Sequence, residues 1–401
     1  MGSNFHERMP LVRLAVCLMV GIVVGEQLTG QVYWWLVLAG MVACTLLLWR
    51  YEYWQSAGIA LCFVVLGITL ITRQPGTSPY GKSETHQLSR VERTRQRCLQ
   101  WRQKLLERYE AQGLEGEQYA VVAAMTLGDK SALTKHVREV YSVTGASHVL
   151  ALSGLHLGII YTLLSFLVVG KRWQTLSQII CLLGIWAFAF LVGLSASVVR
   201  SAIMLTVYAL LSLGHRDKMS LNTLAFTAIL MLVVSPRSLF DIGFQLSFMA
   251  VGAILLWLPV FMSVFSESYL MDHRLVKWVW GMIGVSLSAQ LGVAPLIAYY
   301  FGRFSTYFLL TNFIVVPAAT FILYLSLPAL LIPGFAYLLI YIVNGLNVVL
   351  ARMAELPGAS IDGLHPTMLQ VIMVYVIIFS FWLIIERTLP AREWKPSRVR
   401  W

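Results

Sequence analysis

Residues 368–388 read MLQVIMVYVIIFSFWLIIERT, and the first 18 of them carry no charged side chain. An α-helix rises about 1.5 Å per residue, so roughly 20 apolar residues are needed to cross the ~30 Å hydrocarbon core of a bilayer. This stretch therefore predicts a transmembrane helix. Comparable apolar runs recur along the chain and are separated by short polar breaks.

The composition agrees with a membrane protein. Of 401 residues, 58% are hydrophobic and 12% are charged, whereas about 25% of residues are charged in soluble globular proteins. We therefore predict an all-α integral membrane protein, a polytopic bundle of about 11–12 transmembrane helices. The predicted spans are residues 11–28, 32–49, 57–72, 147–169, 176–194, 199–214, 220–235, 243–264, 277–299, 305–331, 335–351 and 368–388. Prolines at 317, 328 and 333 leave the division of residues 305–351 open.

The distribution of Lys and Arg predicts the orientation, because short loops rich in these residues stay in the cytoplasm. Cytoplasmic termini place Arg50, Lys171 and Arg216 inside and residues 73–146 outside. The predicted parts are a three-helix membrane region (1–72), an extracytoplasmic linker and basic amphipathic helix (73–116), the main membrane domain (117–390) and a basic cytoplasmic tail (391–401).

The extracytoplasmic segment contains a helical pattern from about residue 88 to 111. At 100° per residue, its basic side chains and one tryptophan share an arc of roughly 80°; they are Arg90, Arg93, Arg97, Trp101, Lys104 and Arg108. Two interpretations stay open. The stripe can meet membrane lipid head groups, or it can guide phosphates while Trp101 stacks on a base. The net charge of +11 suits both.

The fourth span, HVLALSGLHLGIIYTLLSF (148–166), is unusually polar. On one continuous helix His148, Ser153 and His156 form a polar face. Ala151, Gly154 and Gly158 form a small face that lets a neighbouring helix approach closely. The histidines can bond to other helices or line a path, since ionisable groups inside membranes are usually functional. A Ser–His catalytic pair is less favoured, because no acidic side chain is available to orient the histidine.

Further polar side chains occur in later spans. Arg200 can anchor a helix end at the interface or contact a phosphate. Asp241 and Gln245 lie beside an aromatic stripe that can pack in a core or stack on bases; the stripe is Phe240, Phe244 and Phe248. Gln290 is a further candidate for lining a path.

Motifs for other chemistry are missing from the sequence. There is no GxxxxGK[ST] phosphate loop, no HExxH and no His/Cys cluster, and the five cysteines are scattered. We therefore expect no cofactor, no metal site and no enzymatic activity, so that any transport is driven by another protein.

Three stretches together resemble the ComEC-type competence channel family. They are the run from His148 to Gly158 around ALSGLHLG, SVVRSA at residues 197–202 and DIGFQLSFMA at residues 241–250. The resemblance covers about residues 117–390. It implies an inner-membrane channel that admits single-stranded DNA during natural transformation. It also implies a cytoplasmic DNA-translocating motor and an extracytoplasmic DNA-binding protein as partners. The path-lining residues that it implies are His148, Ser153, His156, Arg200, Asp241 and Gln245.

Two departures from the family limit this expectation. Many members carry an OB-fold after the third span, but residues 73–116 are too short and too helical for a complete one. Many also carry a metallo-β-lactamase-like domain, whose metal ligands are absent here, so nuclease activity is not expected. The alternative functions are a small-molecule secondary transporter, which broken helices would suit, and an intramembrane enzyme.

Overall fold

The computed structural model describes residues 9–28, 33–47, 51–73, 90–167, 174–213 and 221–388. The first helices are α1 (Pro10–Gln27), α2 (Trp34–Leu47) and α3 (Glu52–Arg73). The polar segment holds α4 (Arg90–Ala111), α5 (Gly116–Val122) with a π-helical turn (Ala123–Leu127), and α6 (Lys135–Val143). Then follow α7 (Ser147–Leu150), α8 (Gly154–Leu167), α9 (Gln174–Leu191), α10 (Ala196–Leu213) and α11 (Leu221–Val234).

A 3₁₀ turn (Pro236–Phe240) leads into α12 (Ile242–Met262), α13 (Glu267–Asp272) and α14 (Arg274–Phe301). The last elements are β1 (Arg303–Ser305), α15 (Phe308–Ala329), α16 (Pro333–Ala354), β2 (Ser360–Asp362) and α17 (Met368–Thr388). The two strands pair antiparallel, with Arg303 opposite Asp362.

The helices confirm an all-α, multi-pass membrane protein. Within the described ranges, seven helices are long and apolar enough to cross a membrane, and five apolar helices are shorter. Each of the twelve predicted spans overlaps one of them. Large apolar side chains are exposed along these helices, for example Ile377 on α17, because their solvent is lipid. The orientation of the termini stays a prediction.

The described chain divides into two compact units. The first contains α1–α3, α11, the 3₁₀ turn and α12 as far as Phe248; the second contains the other elements. The grouping of α11 with the first three helices was not evident in the sequence, since it depends on contacts between distant segments. Asn222 shows it directly, because its Oδ1 accepts from the backbone N–H of Leu11 at 3.2 Å. Residues 74–89 and the predicted tail at 391–401 lie outside the described residues.

Glycines bring α1 and α3 into backbone contact in the first unit. A Cβ placed on Gly21 would lie 2.0 Å from the carbonyl oxygen of Val64, and one on Gly67 would lie 2.4 Å from that of Leu18. Small residues permit this approach in membranes, where packing replaces the hydrophobic effect.

We expect Gly21→Ala to destabilise the first unit by roughly 1–3 kcal/mol, because the added methyl group can be accommodated only by moving backbone. Gly40→Ala is the matched control, since a Cβ on Gly40 of α2 meets nothing within 4 Å. Thermal unfolding in detergent would measure both variants. Equal melting temperatures for the two would contradict the close approach of α1 and α3.

In the second unit, the polar segment and the α15–α16 pair share one core. The α5 helix and its π-helical turn are fully buried from Ala120 to Leu127. Tyr109 of α4 donates its hydroxyl to the carbonyl of Ser326 at 3.1 Å, and Tyr141 of α6 bonds Asn347 at 2.8 Å. These short helices therefore form an integral part of this unit.

Candidate functional site

The fourth span is broken, and the prediction of one continuous helix over residues 147–169 is wrong. Helix α7 stops at Leu150, Ala151 is extended (φ −105°, ψ 129°), and α8 begins at Gly154. The helical-wheel positions therefore do not describe these side chains, and Ala151 lies in the break, outside any helical face. Irregular backbone at membrane depth requires cover by protein or water.

His156 holds the start of α8 in place. Its Nδ1 accepts from the backbone N–H of Ser153 at 3.3 Å and lies 3.1 Å from the Ser153 hydroxyl. A side chain at the third helical position that accepts from the N–H preceding the helix is one half of a capping box. Accepting this bond requires an unprotonated Nδ1, so that the proton of the neutral ring is on Nε2.

The second nitrogen of His156 has a different environment. His156 is 0% exposed, and its Nε2 has no hydrogen-bond partner of good geometry among the described residues, although the backbone of Val149 approaches the ring. A buried donor without a partner costs about 1–3 kcal/mol. This buried N–H, which has at most a weak contact with the backbone of Val149, is the feature of His156 that capping does not explain.

His148 is exposed, unlike His156. Its Nδ1 lies 3.0 Å from the carbonyl oxygen of Gly145. If Nδ1 donates in this contact, Nε2 is free to accept. The break therefore presents one accessible and one buried histidine.

Helix α10 packs beside this break. A Cβ on Gly154 would lie 3.3 Å from the Ser201 hydroxyl oxygen, whereas one on Gly158 would meet nothing within 4 Å. The predicted close approach thus occurs at Gly154, but it does not extend to Gly158. Arg200, next to Ser201, is only 7% exposed. A snorkelling interfacial anchor would keep its guanidinium in water, so burial favours an interior role for Arg200.

The remaining predicted group belongs to the first unit, and we describe it by itself. Asp241 Oδ1 accepts from the backbone N–H of Phe244 at 2.8 Å, which caps α12. Gln245 donates to the carbonyl of Leu239 at 3.0 Å. Phe244 is 2% exposed and stacks on Phe248 in the core. The suggestion that Phe244 offers a stacking face to bases is therefore wrong, because no face of a buried ring is accessible.

The ninth predicted span corresponds to α14, where Gln290 is half-buried. Nearby polar groups connect this helix to α15, since Asn312 Nδ2 donates to the Ser286 hydroxyl at 3.4 Å. The Ser288 hydroxyl is buried without a partner among the described residues. The role of Gln290 in a path stays a prediction.

The basic stripe lies on the outer face of α4. Its described side chains are all exposed: Arg93, Arg97, Trp101, Lys104 and Arg108. The side chain of Arg90 lies outside the described set. The opposite face is buried in the core through Leu106 and Tyr109. Arg95, which is not part of the stripe, donates from Nε to the carbonyl of Gly193 at 3.0 Å, so the protein fixes the direction that the stripe faces.

A second polar cluster was not evident in the sequence. Arg303 Nη1 lies 2.9 Å from Glu139 and donates to the Ser142 hydroxyl at 3.1 Å, and its Nε is bonded to Asp362. We call these four residues the Arg303 cluster. They come from α6, β1 and β2, and no local pattern marks Arg303 as their partner. The described residues contain no group of three or more His, Cys, Asp or Glu side chains that could hold a metal ion.

Comparisons with known proteins agree on one family. The family model described as "Competence protein" matches residues 125–388. Over 278 residues the chain is 29% identical to ComE operon protein 3 of Bacillus subtilis, covering 67% of this chain and 34% of that protein. It is 34% identical over 198 residues to an uncharacterized protein of Aquifex aeolicus, covering 49% of this chain and 44% of that protein.

Recombination protein 2 of Haemophilus influenzae is 25% identical over 230 residues, which cover 55% of this chain and 29% of that protein. The chain thus spans less than half the length of each of these relatives. No solved structure matches it.

Proposed function

Because the chain belongs to the competence protein family, we propose that it forms a path for single-stranded DNA across the bacterial inner membrane during natural transformation. DNA is then the substrate, and the energy comes from a cytoplasmic motor, with an extracytoplasmic protein delivering the strand. In this proposal, both termini lie in the cytoplasm.

The exposed basic face of α4 is the observation that carries this proposal. An interfacial helix binds a membrane through its apolar face, but Leu106 and Tyr109 of that face are buried within the protein. Binding of α4 to a membrane would therefore lack the favourable free energy of burying an apolar face. A row of cations with Trp101, 61% exposed, matches the charged groove and stacking platform that bind single strands without sequence preference.

The broken fourth span supplies polar groups further along the path. His148 is exposed at the break, and the buried Arg200 lies on the helix beside it. Arginine forms bidentate contacts with phosphate, so its burial next to an accessible polar break suits a phosphate that passes through.

We propose no catalytic role for Ser153 and His156. Their 3.1 Å contact follows from the way α8 begins, and the hydrogen bonds seen for both imidazoles go to a carbonyl oxygen and to Ser153. A hydrolytic triad needs a carboxylate that orients the histidine.

A small-molecule secondary transporter is the second candidate, and the broken fourth span is the observation that favours it, since such breaks form transporter binding sites. Transport of a small molecule does not require the basic face of α4. Normal DNA uptake after neutralisation of that face would favour the transporter.

We expect Arg200→Ala to lower DNA uptake at least about tenfold at wild-type protein levels in the membrane, because the buried phosphate contact is lost. Arg200→Lys should recover only part of the activity, since lysine lacks the planar fork. Arg352→Ala is the control, because this arginine is exposed in a pair with Glu355. Transformation frequency with labelled DNA measures all three variants. Wild-type uptake by Arg200→Ala would contradict the assignment.

A further inference from the structure

Helix α14 indicates how deep nearby residues of the second unit lie in the membrane. Its 28 residues correspond to a length of about 42 Å, which exceeds the ~30 Å hydrocarbon core. The charged residues Arg274 and Lys277 lie at its start, and residues 278–301 carry no charge. Trp278 and Phe301, near its two ends, expose their rings. The helix therefore crosses the whole bilayer and ends at Phe301.

In its first turns, the next helix contacts the first half of α14. In the first turns of α15, Asn312 is bonded to Ser286 and the ring of Phe313 meets Trp278 edge-on at 5.6 Å. Ser286 lies 15 residues before Phe301, which corresponds to about 22 Å along the helix. The connection at residues 302–307 therefore runs back along α14, from its end towards its middle.

This returning connection contains β1 and the Arg303 cluster, which are polar. The side chains of Glu139 and Asp362 are 61% and 56% exposed. In addition, β1 and β2 form a two-stranded sheet, so each strand has an unpaired edge. Neither exposed charges nor open strand edges are tolerated in hydrocarbon. These groups must therefore face water.

The same region leads to the break in the fourth span. A Cβ on Gly145 would lie 3.0 Å from the Ser305 hydroxyl oxygen, so the end of β1 touches the chain just before α7. Three residues later, the exposed His148 is bonded to the carbonyl of Gly145. The strand pair thus extends from the Arg303 cluster to the broken span.

We infer that β1, β2 and α6 wall an aqueous vestibule, which enters the bilayer beside the second half of α14 and ends at His148. The existence of a water-filled recess follows from the second unit alone. Its use as the entrance for a polyanionic strand rests on the proposed function. The vestibule explains how a polar break at membrane depth is supplied with water.

Single cysteines in a background without Cys17, Cys44, Cys62, Cys98 and Cys181 test this inference. The vestibule variants are Glu139→Cys and His148→Cys. The lipid-facing controls are Phe301→Cys and Leu310→Cys, and the reference for free access is Ser131→Cys on an exposed turn. Intact cells are treated with a membrane-impermeant cationic methanethiosulfonate, and the labelling rates are measured without DNA. Labelling after denaturation shows that each thiol is present.

Glu139→Cys and His148→Cys should react within about tenfold of the reference, and the lipid-facing controls about a hundredfold more slowly, because the reagent attacks a thiolate that forms in water. If the Glu139→Cys variant reacts but the His148→Cys variant does not, the inference is overturned. Fast labelling of Leu310→Cys would also overturn it, since the start of α15 would then lie outside the bilayer.

A second arm separates the vestibule from the proposed function. Short single-stranded DNA, added before the reagent, should slow the labelling of Glu139→Cys and His148→Cys. Fast labelling in the absence of DNA and no protection in its presence would support the vestibule and contradict its use as a DNA entrance.

Discussion

Replacing Arg93, Arg97 and Lys104 together by glutamine should weaken single-stranded DNA binding and make its salt dependence shallower. Each phosphate contact contributes about 0.7 to the slope of log K against log salt concentration for single strands. Three lost contacts should therefore reduce the slope by about 2. All three side chains are exposed on α4, so the substitutions leave the buried face of the helix intact. Fluorescence anisotropy of purified protein across a salt series measures this change.

The matched control removes the same charge elsewhere. Arg274, Lys277 and Arg387 are also exposed, and the sequence predicts them on the cytoplasmic side. Their glutamine variants should retain the wild-type slope. If the α4 variant also keeps that slope but binds vesicles of anionic lipid less well, the basic stripe serves the membrane and the DNA proposal is wrong.

His156→Ala should reduce DNA uptake at least about tenfold, because it removes a helix cap worth about 0.5–2 kcal/mol and leaves a cavity at a buried position. The break between α7 and α8 depends on this side chain, since its Nδ1 holds the N–H of Ser153. Transformation frequency and thermal stability in detergent should be measured together on variants present at wild-type levels.

Two partner substitutions separate structure from chemistry. Ser153→Ala keeps the backbone N–H that His156 accepts, so uptake should stay within about threefold of the wild type. Loss of uptake in this variant, or labelling of Ser153 by a serine-directed reagent, would support an intramembrane enzyme.

His156→Asn supplies an oxygen that can accept from Ser153 and should recover stability. It lacks the ring Nε2, whose N–H is buried without a partner of good geometry among the described residues. Recovered stability with lost uptake would assign that nitrogen a role in transport. Recovery of both would make His156 purely structural.

The sequence correctly predicts that the fourth span is unusually polar, but the predicted positions of its side chains are wrong. His148, Ser153 and His156 were placed on one continuous helix, and the chain instead breaks at residues 151–153. The local signal for this break is weak: Ser153 and Gly154 favour the start of a helix, but the apolar residues on both sides also suit a continuous one. Contacts with neighbouring segments decide it, including the packing of Gly154 against Ser201.

For α4 the sequence succeeded, because amphipathic periodicity is a local property. The spacing alone predicts the stripe from Arg90 to Arg108, and those of its side chains that the structure describes are exposed. What covers the other face could not be predicted, since Tyr109 reaches a carbonyl at Ser326, 217 residues away. That contact made the lipid interpretation of α4 less favourable.

The sequence by itself determined the fold class of this protein. Long uncharged apolar runs can satisfy their backbone in a bilayer only as helices, and the helices follow wherever those runs occur. The tertiary structure alone decided where the polar groups meet water. It placed Arg303 between Glu139 and Asp362, buried Phe244, and brought the first turns of α15 against the first half of α14. These arrangements depend on contacts between distant segments, which are set by the packing of whole helices and are not encoded in any short stretch of residues.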